Sequence, residues 1–133
     1  MSARGRIRGM VQHLKLFKIE ESDGALVVAP LGQGSAFRYH DLHQESNTVR
    51  SHLLKTKSPV VIMDMEQMEY CGSEFIGSLI SMLRETRNRG GKAAFCAANS
   101  HMHKVLENMS LFKLWPYFET RQDAVTALTA EAS

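Results

Sequence analysis

Residues 60–83 read VVIMDMEQMEYCGSEFIGSLISML, and a change of period inside this stretch decides the fold. Val60–Asp64 is almost wholly apolar at both parities, which predicts a central strand covered on both faces. After EQMEYCG the apolar positions Phe75, Ile76, Leu79, Ile80, Met82 and Leu83 fall at helical spacing, so the stripe predicts a helix over 73–89. Arg84, Arg87 and Arg89 gather toward its end, where cations complement the helix dipole, and Gly90-Gly91 is a stop signal.

Working downstream, residues 93–98 (AAFCAA) predict another buried strand, and Asn99 or Ser100 caps a helix carrying Met102, Val105, Leu106 and Met109 on one face. Residues 111–115 predict a short last strand, and Thr120-x-x-Asp123 resembles a capping box opening a helix with Val125 and Leu128 inward. Upstream, residues 14–20 (LKLFKIE) alternate as a half-buried strand, and Ser22-Asp23-Gly24 turns the chain into a more buried strand at 25–31 (ALVVAPL). Gly32 to Ser35 breaks the pattern. Leu42, Val49 and Leu53 then share one face of a helix over 39–56 that Ser58-Pro59 ends. Strands alternating with single helices require crossover connections. The reading is a single α/β domain over 13–130, with short tails at 1–12 and 131–133. It has four helices, a mixed, mostly parallel sheet of about five strands, and an N-terminal hairpin.

The 133 residues suffice for one domain that needs no metal or disulfide staple. The net charge of +2 divides unevenly. Arg4, Arg6 and Arg8 lie in the first ten residues, and without them thirteen cationic side chains face fourteen acidic ones, a net −1. The terminal basic stretch has neither base-stacking aromatics nor a recognition motif, so no nucleic acid is expected as partner. It also lacks the apolar core of a signal peptide, and no apolar stretch is long enough to span a bilayer. Cys71 and Cys96 stand far apart in apolar settings and read as buried free thiols, which fits a cytoplasmic location.

Most enzyme signatures fail. Gly32-x-Gly34 follows a strand, but residue 37 is Phe, so the dinucleotide fingerprint is incomplete, and no Gly-Lys-Ser/Thr phosphate loop occurs. His40-x-x-His43 shares a helical face without third and fourth ligands in view, so neither metal nor cofactor is expected. Ser73 has two readings. As a cap, its hydroxyl accepts from a backbone N–H of the first turn; as a reactive position, it sits where helix N-termini favour anions. A nucleophile elbow requires Gly-x-Ser-x-Gly, whereas positions 71 and 75 are Cys and Phe.

With these residues in view, 60–83 resembles the core of STAS domains, the family of anti-sigma factor antagonists. That pattern is an apolar strand ending in Asp, then Asp-Ser-Ser-Gly-Leu-Gly opening an apolar helix. Asp64 matches the strand-end acid, Ser73 the phosphorylated serine, and Ile76-Gly77 the Leu-Gly pair. The likeness runs from about Leu14 to Leu128, including TRQDA at 120–124, which is similar to the family's last helix start. Gly72 replaces the acid before the serine, and Glu74-Phe75 replaces the second Ser-Gly.

The resemblance implies a switch. The unmodified protein binds an anti-sigma factor that is also a serine kinase, and phosphorylation at Ser73 ends the binding. Ser78, one turn further into the helix, is the second choice. The implied contact residues are Gly72, Ser73 and Glu74, with Gly34, Ser35, Phe37, Arg38 and Tyr39 at the entry to the first helix. Self-association is compatible with this reading. A membrane contact is not expected, since three arginines contribute only about 1 kcal/mol each near an anionic surface. Two alternatives stand beside it. One is a STAS scaffold of a stressosome or membrane transporter without phospho-switching. The other is a small hydrolase with Ser73 or Cys71 as nucleophile, which requires a histidine such as His40 or His43 within hydrogen-bond reach.

Overall fold

The computed structural model describes residues 11–33 and 39–132. The described residues open with three antiparallel strands, β1 (Val11–His13), β2 (Phe17–Ser22) and β3 (Ala25–Pro30). A two-residue strand β4 (Gly32–Gln33), helix α1 (Tyr39–Leu53) and strand β5 (Val60–Asp64) follow. Next come β6 (Met68–Tyr70), α2 (Ser73–Asn88), β7 (Lys92–Cys96) and α3 (Ser100–Asn108). A 3-10 turn (Leu111–Lys113), β8 (Tyr117–Phe118) and α4 (Arg121–Ala132) complete the described chain.

The main sheet has the order β1-β2-β3-β5-β7-β8, with β5 and β7 parallel to β3 and β8 parallel to β7. It is the mixed, mostly parallel sheet with an N-terminal hairpin that the sequence predicts, with six strands rather than about five. β4 and β6 form a separate two-stranded parallel sheet. The parity of β5 explains its apolar run. Val61 and Met63 enter the larger core under α1, α2 and α3, while Val60 and Ile62 enter a smaller one under α4. Burying each such side chain contributes about 1.5–3 kcal/mol, so both faces of a central strand must be apolar.

The β4–β6 pair is absent from the sequence reading, the helix predicted over 39–56 ends at Leu53, and three further details differ. The first predicted strand begins at Phe17, not Leu14, and the N–H groups of the two residues before it turn to a side-chain carboxylate. Glu45 of α1 is buried and accepts from the N–H groups of Lys15 at 3.0 Å and Leu16 at 2.8 Å. The segment 111–115 is a 3-10 turn rather than a strand. Leu111 and Trp115, four apart, are both buried, and the N–H groups of Leu114 and Trp115 donate to the Leu111 carbonyl. Pairing with β7 starts only at Pro116, whose carbonyl accepts from Phe95 N–H. Finally, the sheet begins at Val11, inside the segment read as a tail, where Val11 and Gln12 pair with Glu20 and Ile19. A three-residue edge strand carries no alternation that a sequence can display. Arg4, Arg6 and Arg8 lie outside the described residues.

Candidate functional site

Ser73 is the first residue of α2 and is exposed, as is Glu74 beside it. It is not the cap. Gly72 occupies the N-cap position in extended conformation, with no side-chain cap bond, and its carbonyl accepts the first helical N–H from Ile76 at 3.0 Å. The serine hydroxyl therefore stands at the positive end of a 16-residue helix, with no hydrogen bond assigned to it among the described residues. Glu74 complements the same dipole, an effect of about 0.3–1 kcal/mol at an exposed terminus. A Cβ built on Gly72 meets nothing within 4 Å, so the acid that the family places there fits without displacing a neighbour.

Two elements frame this helix start. In the small sheet, Gln33 pairs with Tyr70, which is 50% exposed and packs against His101 at 5.7 Å between ring centroids. Asn99 fixes α3 to the same place: its Oδ1 caps Met102 N–H at 2.7 Å, and its Nδ2 donates to the carbonyl of Glu69 at 3.2 Å. Gly34, Ser35, Phe37 and Arg38 lie outside the described residues. The residues flanking them are described, since Gln33 is tied to β6 and Tyr39 opens α1.

Between α1 and α2 runs an open groove of about 600 Å³, lined by His40, His43, Ser46, Arg50, Glu74 and Ser78, among others. Ser78 is half-buried, and its Oγ lies 2.5 Å from Oγ of Ser46, itself buried on α1. Arg50 bonds Ser81 one turn on. These contacts weld the two helices, so Ser78 is a packing residue where Ser73 is open. The sequence reading did not place Tyr70 and His101 at this site; nothing in their spacing shows that β6 and α3 bring them to this face.

Among the described residues, the histidine contact that a hydrolase reading requires at Ser73 is not formed. His40 and His43 share the groove with Glu74 and Ser78, and among the described residues no histidine hydrogen-bonds Ser73. Cys71 is buried, and burial pushes its thiol up to about 11, the reverse of an activated nucleophile. Cys96 is also buried and free, and its thiol is pushed up to about 12 by burial first, then by the Asp64 carboxylate. Both thiols hold their protons more tightly folded than unfolded, where they titrate near 9.0. The thiols' contribution to stability is therefore full below about pH 9 and is lost as pH rises from there toward 11–12. A urea-unfolding series from pH 8 to 10.5 is expected to show that decline, shallower in Cys96→Ala, and a thiol reagent at pH 8 should label neither cysteine until denaturant is added.

No group of three or more potential metal ligands exists among the described residues, and no helix among them is long and apolar enough to cross a membrane.

Comparison with known proteins agrees with this architecture. The STAS domain profile matches residues 17–124. An anti-sigma F factor antagonist of Paenibacillus polymyxa is 22% identical over 115 residues, spanning 84% of this chain and 92% of that protein. The structure of a STAS domain protein from Planctomyces limnophilus superposes with a TM-score of 0.72 at 21% identity, covering 85% of this chain and 97% of that one. The Bacillus cell fate determinant SpoIIAA in its phosphorylated form superposes with a TM-score of 0.64 at 17% identity, covering 84% and 97%. With the profile spanning most of the described residues, the chain belongs to the STAS domain family.

Proposed function

We propose that this chain is a protein-binding regulator whose contact face is the start of α2, and that its partner is an anti-sigma factor with serine-kinase activity. The face comprises Gly72, Ser73 and Glu74. Phosphorylation of Ser73 then ends the binding. The observation that carries this reading is the exposed Ser73 hydroxyl at the first position of a long helix. The relative from Paenibacillus polymyxa is named an anti-sigma factor antagonist, and SpoIIAA is described in a phosphorylated form, which supports the same use of the fold here.

The switch is electrostatic. A phosphate adds about −1.5 to −2 charges, tolerated at a solvated helix N-terminus and costly where a partner must desolvate it. An unmatched interfacial charge costs roughly 2–5 kcal/mol, so affinity is expected to fall by about a hundredfold or more.

Incubation with the cognate anti-sigma kinase and ATP, followed by intact-mass measurement, tests the assignment. One phosphate is expected on the wild type and none on Ser73→Ala, with Ser78→Ala behaving as wild type. Phosphate that persists in Ser73→Ala overturns the residue assignment. Gly72 in place of the motif acid favours a second reading, a scaffold that assembles without modification; a stable complex with no added phosphate would establish it.

A further inference from the structure

The end of the fold opposite Ser73 is built from three segments: 54–60 after α1, 84–92 at the close of α2, and 111–116 around the 3-10 turn. Hydrogen bonds hold them together. Arg89 Nη2 donates to the Leu54 carbonyl at 3.4 Å, Lys92 N–H to the Pro59 carbonyl at 2.9 Å, and Arg87 Nη2 to the Leu114 carbonyl at 2.7 Å. Together the three segments hold seven cations and one acid, Glu85. The Ser73 end is the reverse, since positions 64–74 hold four acids and no cation. Glu21 and Asp23 at the β2–β3 turn, and Glu131 in the last turn of α4, also belong to the basic end and leave it net positive.

This charge is not neutralised within the fold. Among the described residues, Lys15, Lys18 and Arg121 make ion pairs, whereas none is assigned to Lys55, Lys57, Arg84, Arg87 or Arg89. Apolar side chains stand among these cations: Leu54 is 58% exposed and Leu114 44%. The sheet also receives β1 from this end, because β1 runs in the same sense as β3, and Gln12 Oε1 lies 2.9 Å from His52 Nε2 in the last turn of α1. Arg4, Arg6 and Arg8 precede β1 in the chain. Three arginines alone carry too little charge to hold a molecule at an anionic surface, and the fold sets the cations of three further segments at the end from which β1 starts. Exposed cations around exposed leucines suit an extended anionic surface with an apolar interior. Bases of a nucleic acid find no stacking platform there, since Trp115 is buried.

We propose that this end docks on an anionic lipid bilayer, with Lys55, Lys57, Arg84 and Arg89 at the headgroups and Leu54 and Leu114 at the headgroup–acyl boundary. The 16 residues of α2 span about 24 Å, so docking leaves Ser73 on the far side, facing solvent. The inference is independent of the Ser73 reading.

Co-sedimentation of the full chain with vesicles of phosphatidylglycerol and phosphatidylcholine in about 0.1 M salt tests this, with saturable binding expected. Pure phosphatidylcholine vesicles should bind at least about tenfold more weakly, and raising the salt to about 0.5 M should release the chain. Lys55 and Lys57 are exposed, and Lys55→Gln/Lys57→Gln should weaken binding about 25-fold, or about fivefold for each cation, without lowering the melting temperature. Lys15→Gln/Lys104→Gln, the same loss of charge outside this end, should bind like the wild type. Leu54→Gln should weaken binding severalfold and leave its salt dependence unchanged. Equal binding to both vesicle types, no binding to the anionic ones, equal losses in the two lysine pairs, or wild-type binding by Leu54→Gln overturns the proposal. So does tighter binding to duplex DNA or to poly-L-glutamate than to the anionic vesicles, which would assign this end to a nucleic acid or to an acidic protein.

Discussion

Gly91→Ala is expected to destabilise the protein by about 3–4 kcal/mol, a drop of roughly 10–15 °C in melting temperature. The reason is space, since Gly91 does not have the positive φ that favours glycine. A Cβ built there overlaps the carbonyl oxygen of Pro59 and comes within 2.9 and 3.0 Å of its N and C atoms. Those atoms are main chain, and relaxation is blocked on both sides. Gly91 N–H donates to the Thr86 carbonyl at 2.9 Å, closing α2, while the obstructing Pro59 carbonyl accepts from Lys92 N–H at 2.9 Å, the first rung between β5 and β7. Moving either segment breaks one of these bonds, at about 1 kcal/mol each. Gly90→Ala is the matched control. Its φ of +79° imposes conformational strain of roughly 1 kcal/mol, with Ser58 Oγ a comfortable 3.5 Å from the new atom. Urea unfolding of the two variants that gave equal losses would defeat the steric account.

Arg121→Met is expected to cost about 2–4 kcal/mol. Arg121 opens α4 and reaches back to the sheet. Its Nη2 lies 2.9 Å and its Nε 3.0 Å from Asp64 Oδ2, and its Nη1 lies 3.0 Å from Glu20 Oε1. The Asp64 side chain is 3% exposed, so removing its partner strands a buried carboxylate that retains, among the described residues, only Glu66 N–H, at 3.0 Å to its other oxygen. Arg121 is 34% exposed, which keeps the expected loss below that of a fully buried pair. The double variant Asp64→Asn/Arg121→Met should recover at least about 1 kcal/mol relative to Arg121→Met, because the stranded charge is gone. Additive losses in that cycle, or wild-type stability of Arg121→Met, would refute the role.

Asp64 shows how far sequence reading goes. Its position at the end of an apolar strand is legible and matches the family pattern. What it does there is not legible, because its partner Arg121 comes from α4, 57 positions on, and shares its guanidinium with Glu20 of β2. Glu45 is similar. It reads as one more polar residue on α1, yet it is buried and holds two N–H groups of the turn before β2. At the candidate site, Ser73 and Glu74 were legible from their place before an apolar stripe. The groove of His40, His43 and Glu74 was not, since it depends on how α1 packs on α2.

What the sequence alone determined is therefore whatever a local period encodes. Val60–Asp64 was placed to the residue because apolarity at both parities admits only a strand with a core on each side. The α2 stripe, the Gly90-Gly91 stop and the Asn99 cap followed from the same short-range rules. Tertiary structure decided what depends on chain segments far apart. It turned 111–115 into a 3-10 turn with two buried side chains, added β1 and the β4–β6 pair, and made Gly91 rather than Gly90 the tighter glycine. It also left the Trp115 donor buried without an acceptor. Periodicity reports which face of an element is buried, but only packing settles which distant residues meet there.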